Sequence, residues 1–441
     1  MMAFMIDGSA EVATSQLDLF SIPSTNTSIE EGTYVNYNPI SSLTDSSPIE
    51  FDITSSGETF IDLASTYLHV QAKILRADGS EMQAGDECGP VNNFLHSLFA
   101  QLDIYLNGTL ITSSTATYSY RAYLENLLTY GPAAKKSYLT SSLFYKDDAG
   151  RMDSSDPFAG AGEVNLGLQK RASFVTRSRT VDLIGRLHAD ICFQSRYLLN
   201  EISMKIRLTR NRDSFCLMCA GAHTYKVVIQ NCSLLVRKVK LNPSVFLAHA
   251  KILESGNAIY PIHRTQIKTV SIARGFMSCS FEKIFSGQIP TRLVIALVDN
   301  DALNGSFTKN PYNFKHFSMS EISIFLDGQS HSLKPLTMNF VDNTYIRAYL
   351  SLFNGTSMTG FDSGNDITRE DFAGGYAIYV FDLTPDLYND ESFNLIRQGS
   401  VRIDVKFRNA LENTVSLLVY GEFENIIQIS RDRSVVFDFA S

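Results

Sequence analysis

The sequence predicts an all-β protein in which two similar antiparallel β-sandwiches follow one another along the chain. Two observations support this prediction: apolar residues alternate with polar ones in many short segments, and several of these segments occur twice in the same order. Alternation with a period of two is typical of strands that bury one face. Phe and Tyr are abundant, with 29 and 20 residues, whereas Trp is absent. Aromatic and β-branched residues favour sheet over helix.

The clearest repeat is a strand that leads into a tight turn. Residues 102–108 read LDIYLNG and residues 322–328 read ISIFLDG. Asn-Gly and Asp-Gly are typical of two-residue hairpin turns, because both central residues need positive φ. Each copy is therefore predicted to be a strand followed by a hairpin turn. In this interpretation Ile104 and Ile324 lie on buried faces, so Ile104→Asp and Ile324→Asp are each expected to abolish the soluble assembly.

Three further pairs of segments repeat in the same order. They are RAYL at 121–124 and 347–350, alternating strands at 202–208 and 401–407, and apolar strands at 67–74 and 292–299. The partners lie roughly 200 to 226 residues apart, as expected of a duplicated domain whose copies differ in loop length. We therefore predict a tandem duplication.

The spacing of the strands predicts the kind of sandwich. A chain of 441 residues suits two or three domains. No strand–helix–strand rhythm is present, so the sheets are expected to be antiparallel. Short strands with long connections, in domains of roughly 180–200 residues, suit a jelly roll better than an up-and-down barrel. The predicted fold is a double jelly roll: two tandem antiparallel eight-stranded β-sandwiches with short helices in the loops.

Composition and turn residues divide the chain into four parts. These are an N-terminal arm at 1–47, a first jelly roll at 48–241, a helical linker at 242–257 and a second jelly roll at 258–441. The arm is polar and cannot build a core of its own, so it is expected to order against its own sandwich or a neighbouring subunit. Pro243 lies at the predicted start of the linker helix and Gly256 just past its end, which are the positions that these residues favour in helices.

The individual elements follow from local periodicity. Predicted strands of the first domain are 49–53, 59–75, 94–110 with its hairpin, 174–184, 202–208 and 225–241. Predicted strands of the second domain are 265–272, 292–299, 322–326, 376–381, 401–407 and 414–429. Helical spacing of apolar residues predicts helices at 118–128, 245–253 and 344–352. The long Asp-, Gly- and Ser-rich segment 147–167 is expected to be an exposed insertion that contacts neighbouring subunits.

Overall composition excludes several classes of protein. A net charge of −8 and a pI near 5.5 argue against a surface that binds nucleic acid mainly through contacts to its phosphates. No run of about 18 apolar residues is present, so no transmembrane helix is expected. The first residues lack a positive n-region and a long apolar core, so no signal peptide is predicted. Six cysteines in a chain of this length do not indicate a disulfide scaffold, and reduced, intracellular synthesis is expected.

Candidate metal ligands were sought among histidines, cysteines and carboxylates. The histidines occur singly, without HxH or HExxH, and each is expected to be a packed or surface residue; they are His69, His96, His188, His223, His249, His263, His316 and His331. Cys216 and Cys219 have CxxC spacing, but only His223 lies near enough in sequence to add a third ligand. Buried strand cysteines are the favoured interpretation of this pair.

One acidic segment resembles the start of a calcium loop. It contains Asp299, Asp301, Asn304 and Gly305. The glycine is one position late and no bidentate Glu closes the loop, so an EF-hand is excluded. A looser Ca²⁺ site and a simple turn between strands both remain open.

The sequence therefore predicts no catalytic residue, no cofactor-binding residue and no metal ligand. Neither a phosphate-binding loop nor a GxSxG nucleophile elbow is present. A duplicated sandwich without a site suits a building block. Three copies around a three-fold axis would present six similar domains with a nearly hexagonal outline.

Many separate stretches resemble the major capsid protein, or hexon, of the adintoviruses and the related Polinton (Maverick) elements. They lie at 94–111 (FLHSLFAQLDIYLNGTLI), 118–136 (YSYRAYLENLLTYGPAAKK), 181–217, 237–243, 287–317, 374–387 (GGYAIYVFDLTPDL) and 419–435. The resemblance covers roughly residues 30–437 and implies a double jelly roll that trimerises into pseudo-hexameric capsomers. It further implies an icosahedral shell around double-stranded DNA and no catalytic residues.

The resemblance also defines the expected partners and location. The chain is expected to bind itself as a homotrimer and in neighbouring capsomers, and to meet penton and minor capsid proteins in the virion. Synthesis and assembly are expected inside the host cell. An endogenised host copy of such a gene is one alternative. A carbohydrate-binding or hydrolytic β-sandwich is another, and the absence of Trp counts against it.

Overall fold

Eight of the ten strands of the first half form two sheets that enclose a hydrophobic core, and the other two pair with each other. A computed structural model describes residues 8–43, 47–55, 57–221, 223–331, 334–360, 362, 364–385, 387 and 392–437. The ends of the predicted arm and of the predicted second domain, at 1–7, 44–46 and 438–441, lie outside these ranges. The strands are β1 (Ile29–Tyr37), β2 (Ile49–Ile53), β3 (Thr59–Arg76), β4 (Cys88–Pro90), β5 (Phe99–Leu106), β6 (Thr109–Leu110), β7 (Val181–Arg186), β8 (Met204–Arg210), β9 (Leu217–Cys219) and β10 (Tyr225–Leu241).

The second half repeats this arrangement. Its strands are β11 (Ala258–Ile272), β12 (Ser278–Gln288), β13 (Arg292–Asp299), β14 (Met319–Leu326), β15 (Gln329–Ser330), β16 (Leu336–Thr337), β17 (Ile378–Asp382), β18 (Gln398–Phe407), β19 (Val415–Ile429) and β20 (Val435–Phe437). In the first half the sheet orders are β1-β10-β3-β7 and β2-β8-β5-β6. In the second half they are β11-β19-β13-β17 and β12-β18-β14-β15. Strands β16 and β20 add to β14 and β19, and β4 pairs with β9.

Both halves have jelly-roll topology. The four named sheets are antiparallel throughout. Apart from β4 and β9, which form a separate pair, successive strands alternate between the two sheets of a half, except that β5–β6, β14–β15–β16 and β19–β20 each stay in one sheet. Within the described residues each half therefore has eight strands in the four-plus-four order of a two-sheet sandwich, to which β16 and β20 add in the second half. The predicted double jelly roll is confirmed.

The repeated hairpin turns match in detail. Asn107 and Gly108 have φ of 46° and 82°, and Asp327 and Gly328 have φ of 49° and 79°, as a type I′ turn requires. The backbone N–H of Ser203 donates to Asn107 Oδ1 at 2.8 Å. In the second copy, Ser400 N–H donates to Asp327 Oδ1 at 2.7 Å. The turn side chain thus ties each hairpin to the next strand of its sheet.

Strand β1 lies inside the segment predicted as an arm. It pairs with β10 from Ile29↔Leu241 to Tyr37↔Leu234, so residues 29–37 belong to a sheet of the first sandwich. Its sequence, IEEGTYVNY, lacks a strong apolar alternation because β1 is an edge strand with much of its surface exposed. This explains why periodicity alone did not indicate it. Residues 8–27 are exposed.

Short helices occupy the loops. They are α1 (Phe94–Ser97), α2 (Tyr118–Thr129), α3 (Pro132–Lys135), α4 (Leu166–Val175), α5 (Asp213–Cys216), α6 (Pro243–Ile252), α7 (Asn300–Asn304), α8 (Ile346–Asn354) and α9 (Arg369–Ala373). Helices α2, α6 and α8 confirm the three predicted helices. Helix α4 is not among the predicted helices, and the predicted strand 174–184 is wrong for its first two residues, which end this helix. Its N-cap, Asn165, accepts hydrogen bonds from the backbone N–H groups of Gly167 and Leu168.

Two hydrophobic cores are present, and both cross the domain boundary, since the first also contains Tyr260 and Ile427 of the second domain. The first sandwich encloses one core, which contains Ile104. The second sandwich encloses the other, which contains Ile324. This second core also takes in Tyr120, Tyr123 and Leu124 of helix α2, although α2 belongs to the first domain. The two jelly rolls are therefore joined by packed apolar surface as well as by their linker.

Candidate assembly interface

Helix α2 forms the apolar part of the contact between the two jelly rolls. The ring of Tyr123 stacks on that of Tyr312 from the second half, with centroids 4.0 Å apart. Tyr120 meets the same ring edge-on at 5.8 Å. The Tyr312 hydroxyl lies 2.6 Å from Ser97 Oγ of the first half. Aromatic pairs of this kind each contribute about 0.5–1.5 kcal/mol beyond their buried area. The contact is thus built like a domain interior.

A buried carboxylate, Asp147, holds the polar part of this contact. Its Oδ1 accepts hydrogen bonds from Arg171 Nη2 at 2.6 Å and from Asn165 Nδ2 at 2.9 Å. Its Oδ2 accepts one from Asn310 of the second half at 3.0 Å, and its backbone carbonyl accepts one from the Tyr376 hydroxyl at 2.7 Å. Asp147 and Arg171 are both fully buried. Two hydrogen bonds from the second half therefore depend on one first-half residue.

A second polar network lies on the other side of α2. Arg121 donates to Glu125 Oε1 at 2.8 Å and to Asp190 Oδ1 at 2.7 Å, while Asp190 Oδ1 also accepts the backbone N–H of Thr265 in β11. Burial raises the pKa of Asp190 despite its pairing with Arg121. Burial would also raise the pKa of Glu125, but Arg121 and His188 outweigh it and that pKa is lowered. The network therefore keeps an ion pair at the domain boundary.

A cavity of about 330 Å³ adjoins this network. Side chains from both halves line it, including Arg121 and Leu124 of α2 and Val294, Tyr420 and Glu422 of the second sandwich. The outer side of α2 thus faces strands β13 and β19 of the second domain. The contact is heterologous, because it joins a helix of one domain to a sheet of the other.

Two of the eight histidines come together in the structure. His96 and His188 meet edge to face with ring centroids 4.6 Å apart, and His188 Nδ1 lies 2.5 Å from Glu125 Oε2. Burial, together with nearby His188, holds the pKa of His96 well below its usual value. Sequence reasoning did not find this pair, because the two residues are 92 positions apart in the chain. The described ranges contain no cluster of three or more His, Cys, Asp or Glu side chains placed to hold a metal.

The cysteine pair of the sequence motif is divided between two environments. Cys216 ends helix α5 and Cys219 lies in β9, and both are buried. Cys219 is joined to Cys88 in a disulfide. The expectation of fully reduced cysteines is therefore wrong for this pair. The antiparallel register of β4 and β9 places Cys88 directly opposite Cys219, a proximity that sequence spacing does not indicate.

The acidic residues of the candidate calcium loop have a lysine partner. Lys309 Nζ lies 2.9 Å from Asp299 Oδ2 and 2.8 Å from Asp301 Oδ2. Asp299 Oδ1 accepts the backbone N–H of Asp301 and so caps helix α7. The Asn304 side chain donates to the backbone carbonyl of Asn300. An ammonium group thus neutralises these carboxylates, in a short helix rather than a simple turn.

The segment 147–167 is only partly exposed. Asp147, Met152, Val164 and Asn165 are buried, and Gly150 N–H donates to the carbonyl of Gly374 in the second half. The expectation of a wholly projecting insertion is therefore wrong for both ends of the segment. Exposed surface is concentrated near its middle, around Phe158 and Gly160 to Glu163. The extra length of the first copy serves mainly to join the two jelly rolls.

A buried lysine also joins the halves. Lys135 donates hydrogen bonds to the backbone carbonyls of Leu127 and Asn365. Burial lowers the pKa of Lys135 to about 7, and Asp366 opposes this effect only in part. Between pH 7 and the unfolded value near 10.5, the unfolded chain then binds the extra proton. This residue therefore makes the folded state more stable as the pH rises through that window.

Lys135→Met is expected to remove this pH dependence. Above pH 7 the free energy of unfolding of the wild type should rise relative to that of the variant, approaching about 1.4 kcal/mol per pH unit. Urea denaturation of both proteins at pH 7, 8 and 9 measures the difference. Lys136→Met is the matched control, because Lys136 is exposed, and it should leave the slope unchanged. Parallel wild-type and Lys135→Met profiles would contradict the assignment.

The chain is similar over nearly its whole length to several other proteins. A Caenorhabditis elegans protein described as uncharacterized is 25% identical over 437 residues, covering 95% of this chain and 99% of that protein. No known family profile matches the sequence.

Solved viral structures share the architecture. A chain of the Sputnik virophage structure superposes with a TM-score of 0.63 and 15% identity, covering 98% of this chain and 94% of the viral one. The Faustovirus major capsid protein gives 0.60 and 10%, covering 93% and 92%. The chain is a double jelly roll. The mavirus major capsid protein gives 0.53 and 12%, covering 100% and 96%.

These double jelly rolls match along both halves at once. Two of these neighbours, from Faustovirus and from mavirus, are described as major capsid proteins. Matches that cover more than nine-tenths of both chains mean that the order of the two domains is shared, as well as the fold of each. Within the described residues, none of the helices of this double jelly roll is both long and apolar enough to cross a membrane.

Proposed function

We propose that this chain is a major capsid protein whose function is its own assembly. The observation that carries the proposal is the match of the whole chain, through both jelly rolls, to viral major capsid proteins. The duplication supports it, since both halves repeat one strand order. The fold alone does not define a function, so the proposal depends on assembly being measured.

The proposed assembly is a homotrimer with a nearly six-fold outline. Two similar domains joined rigidly in one chain, repeated three times about an axis, place six similar sandwiches in a ring. The packed contact between the halves supports such a ring, because it holds the two sandwiches in one fixed relation. Capsomers of this shape tile an icosahedral shell through neighbouring trimers.

The finer assignments belong to the same proposal. The chain is proposed to be the hexon of an adintovirus or Polinton (Maverick) element, in a virion that encloses double-stranded DNA and is assembled inside the host cell. Penton and minor capsid proteins are its proposed further partners. No enzymatic activity and no catalytic, cofactor, metal or specific nucleic-acid site is assigned. The four-part division of the chain is retained, with Ile29–Tyr37 assigned to the first jelly roll.

A second candidate is a host-encoded copy of such a gene. The similar Caenorhabditis elegans protein, matched along nearly its full length, favours this alternative. Both candidates predict assembly. They differ in whether particles recovered from the source organism contain a packaged viral genome, which sequencing of nuclease-protected DNA decides.

The mass of the purified chain in solution tests the proposal. Light scattering is expected to give three times the 49.1 kDa chain mass, and negative-stain images of the same fraction should show hexagonal units or closed shells. The prediction requires large, partly apolar interfaces of thousands of Å², as in obligate assemblies. A monomer at every concentration tested would contradict it.

A further inference from the structure

The two RAYL helices fold alike but differ in what covers them. In each copy the whole RAYL segment is helical, in α2 (Tyr118–Thr129) and in α8 (Ile346–Asn354). Ala122 and its counterpart Ala348 are both fully buried. Leu124, however, is 2% exposed, whereas the equivalent Leu350 is 47% exposed. The inner sides of the two helices therefore match, and the outer sides do not.

The second jelly roll supplies the cover of α2. Leu124 and Arg121 line the cavity together with Val294 of β13 and Tyr420 of β19, and the Tyr420 hydroxyl lies 3.5 Å from Glu125 Oε1. Among the residues that the structure describes, none plays this part for the outer side of α8. Ile346 and Leu350 are each more than two-fifths exposed, and Arg347 is exposed. Helix α8 thus presents to solvent the side that α2 buries.

The sheets of the two jelly rolls also differ in what covers them, but here the copy in the first half is the open one. Strand β13, on which the outer side of α2 lies, is buried on both faces, with only Arg292 partly open. The equivalent stretch of β3, residues 67–74, alternates strictly between buried and partly exposed positions. Its open positions are Tyr67, His69, Gln71 and Lys73. The sheet of the first jelly roll therefore has an uncovered face where the second jelly roll is covered by α2.

We infer that helix α8 of one copy packs on this uncovered sheet face of a second copy, in the way that α2 packs on the second jelly roll within the chain. The contact rests on the proposed function, since three such contacts close the proposed ring of six sandwiches. Each sandwich then meets the next through the same helix-on-sheet contact, once within each of the three chains and once between each pair of neighbouring chains. The occupant is a second copy of this chain.

The side chains of the two surfaces are compatible. Tyr34 and Tyr67 lie side by side on the open sheet face, with ring centroids 6.4 Å apart, and provide apolar surface for Leu350 and Ile346. Asp182, at the edge of the same sheet, lies 2.7 Å from His69 Nε2 and is 67% exposed, and it carries the charge opposite to that of Arg347. The polar side chains of His69, Gln71 and Lys73 make this face more polar than that of β13. A chain that folds before it assembles requires this, because a large exposed apolar patch favours aggregation.

Leu350→Asp tests the helix side of the contact. We expect the variant to fold, because Leu350 is half exposed, but its trimer dissociation constant should rise at least tenfold, since a charge would enter each of three interfaces. Light scattering over a dilution series, with circular dichroism as the check on folding, measures both. Leu247→Asp on helix α6 is the matched control, because Leu247 is 65% exposed and lies outside both surfaces. It should leave the trimer unchanged.

A cysteine pair tests the contact itself. The variant with Leu350→Cys and His69→Cys should form disulfides between copies on mild oxidation, seen as dimers and trimers in a non-reducing gel. His69 is chosen because its repeat partner, Val294, lines the same cavity as Leu124. The pair Leu247→Cys and His69→Cys, and each single variant, are the controls and should remain monomeric in the gel.

The outcomes separate this inference from the proposed function. Loss of trimer in Leu350→Asp together with specific cross-links supports both. A wild-type trimer that Leu350→Asp leaves intact, without cross-links, overturns the contact while the capsid proposal stands. A wild-type chain that is monomeric throughout overturns the capsid proposal.

Discussion

Ile104→Asp is expected to leave the first jelly roll unfolded. Ile104 is fully buried in the first core, on strand β5 between β8 and β6. Replacing it removes a large aliphatic side chain, at a cost of about 2–5 kcal/mol, and places an unpaired carboxylate in an apolar interior, which costs several kcal/mol more. The sum is of the order of the whole stability of a typical domain, about 5–15 kcal/mol.

Soluble yield and limited proteolysis measure this effect. Ile324→Asp should act in the same way in the second core, because Ile324 is the repeat partner of Ile104 and is equally enclosed. Ile40→Asp is the control, since Ile40 is 65% exposed, and it should express as the wild type does. A soluble, protease-resistant Ile104→Asp protein would mean that the strand faces are assigned the wrong way round.

Asp147→Ala is expected to lower the free energy of unfolding by about 3–5 kcal/mol, as the loss of one partner of a buried ion pair does. It would leave the fully buried guanidinium of Arg171 without its carboxylate. It would also remove the acceptor of Asn310 and so loosen the contact between the jelly rolls. Urea denaturation measures the loss, and domain-specific proteolysis should show that the two halves no longer unfold together.

Two controls isolate the cause. Asp301→Ala also removes a carboxylate from a pair with a basic side chain, but Asp301 is 71% exposed, so it should cost less than about 1 kcal/mol. The double variant Asp147→Leu with Arg171→Met should be more stable than Asp147→Ala, because no charge is left alone in the interior. A double variant that is no more stable than Asp147→Ala would show that the hydrogen bonds to the second half, rather than the buried charge, carry the effect.

The repeated segments show how far local patterns reach. The strands at 49–53, 225–241 and 292–299 match β2, β10 and β13 residue for residue. The two hairpin turns and the three predicted helices are also found, because alternation, helical spacing and turn residues are properties of neighbouring residues. The same patterns failed for β1 and for α4. Strand β1 is a mostly exposed edge with little apolar alternation. Helix α4 follows a loop rich in Asp, Gly and Ser, and this composition does not indicate where the helix begins.

The candidate interface shows what local patterns omit. Both RAYL segments are helices, yet only the first is covered, and the difference arises from Tyr312, Val294 and Tyr420 in the other half of the chain. The Asp147 network, the His96–His188 pair and the Cys88–Cys219 disulfide likewise join residues far apart in sequence. Single-sequence spacing carries no information about such partners.

By itself, the sequence determined the duplication, the strand faces and the jelly-roll character of both halves, since each depends on periodicity within a few residues. Only the tertiary structure decided how the halves are joined, that both ends of the 147–167 segment are buried, and which copy of each repeated surface is left open. These depend on packing between distant segments. Identical local sequences acquire different surroundings because the chain covers one copy and leaves the other exposed.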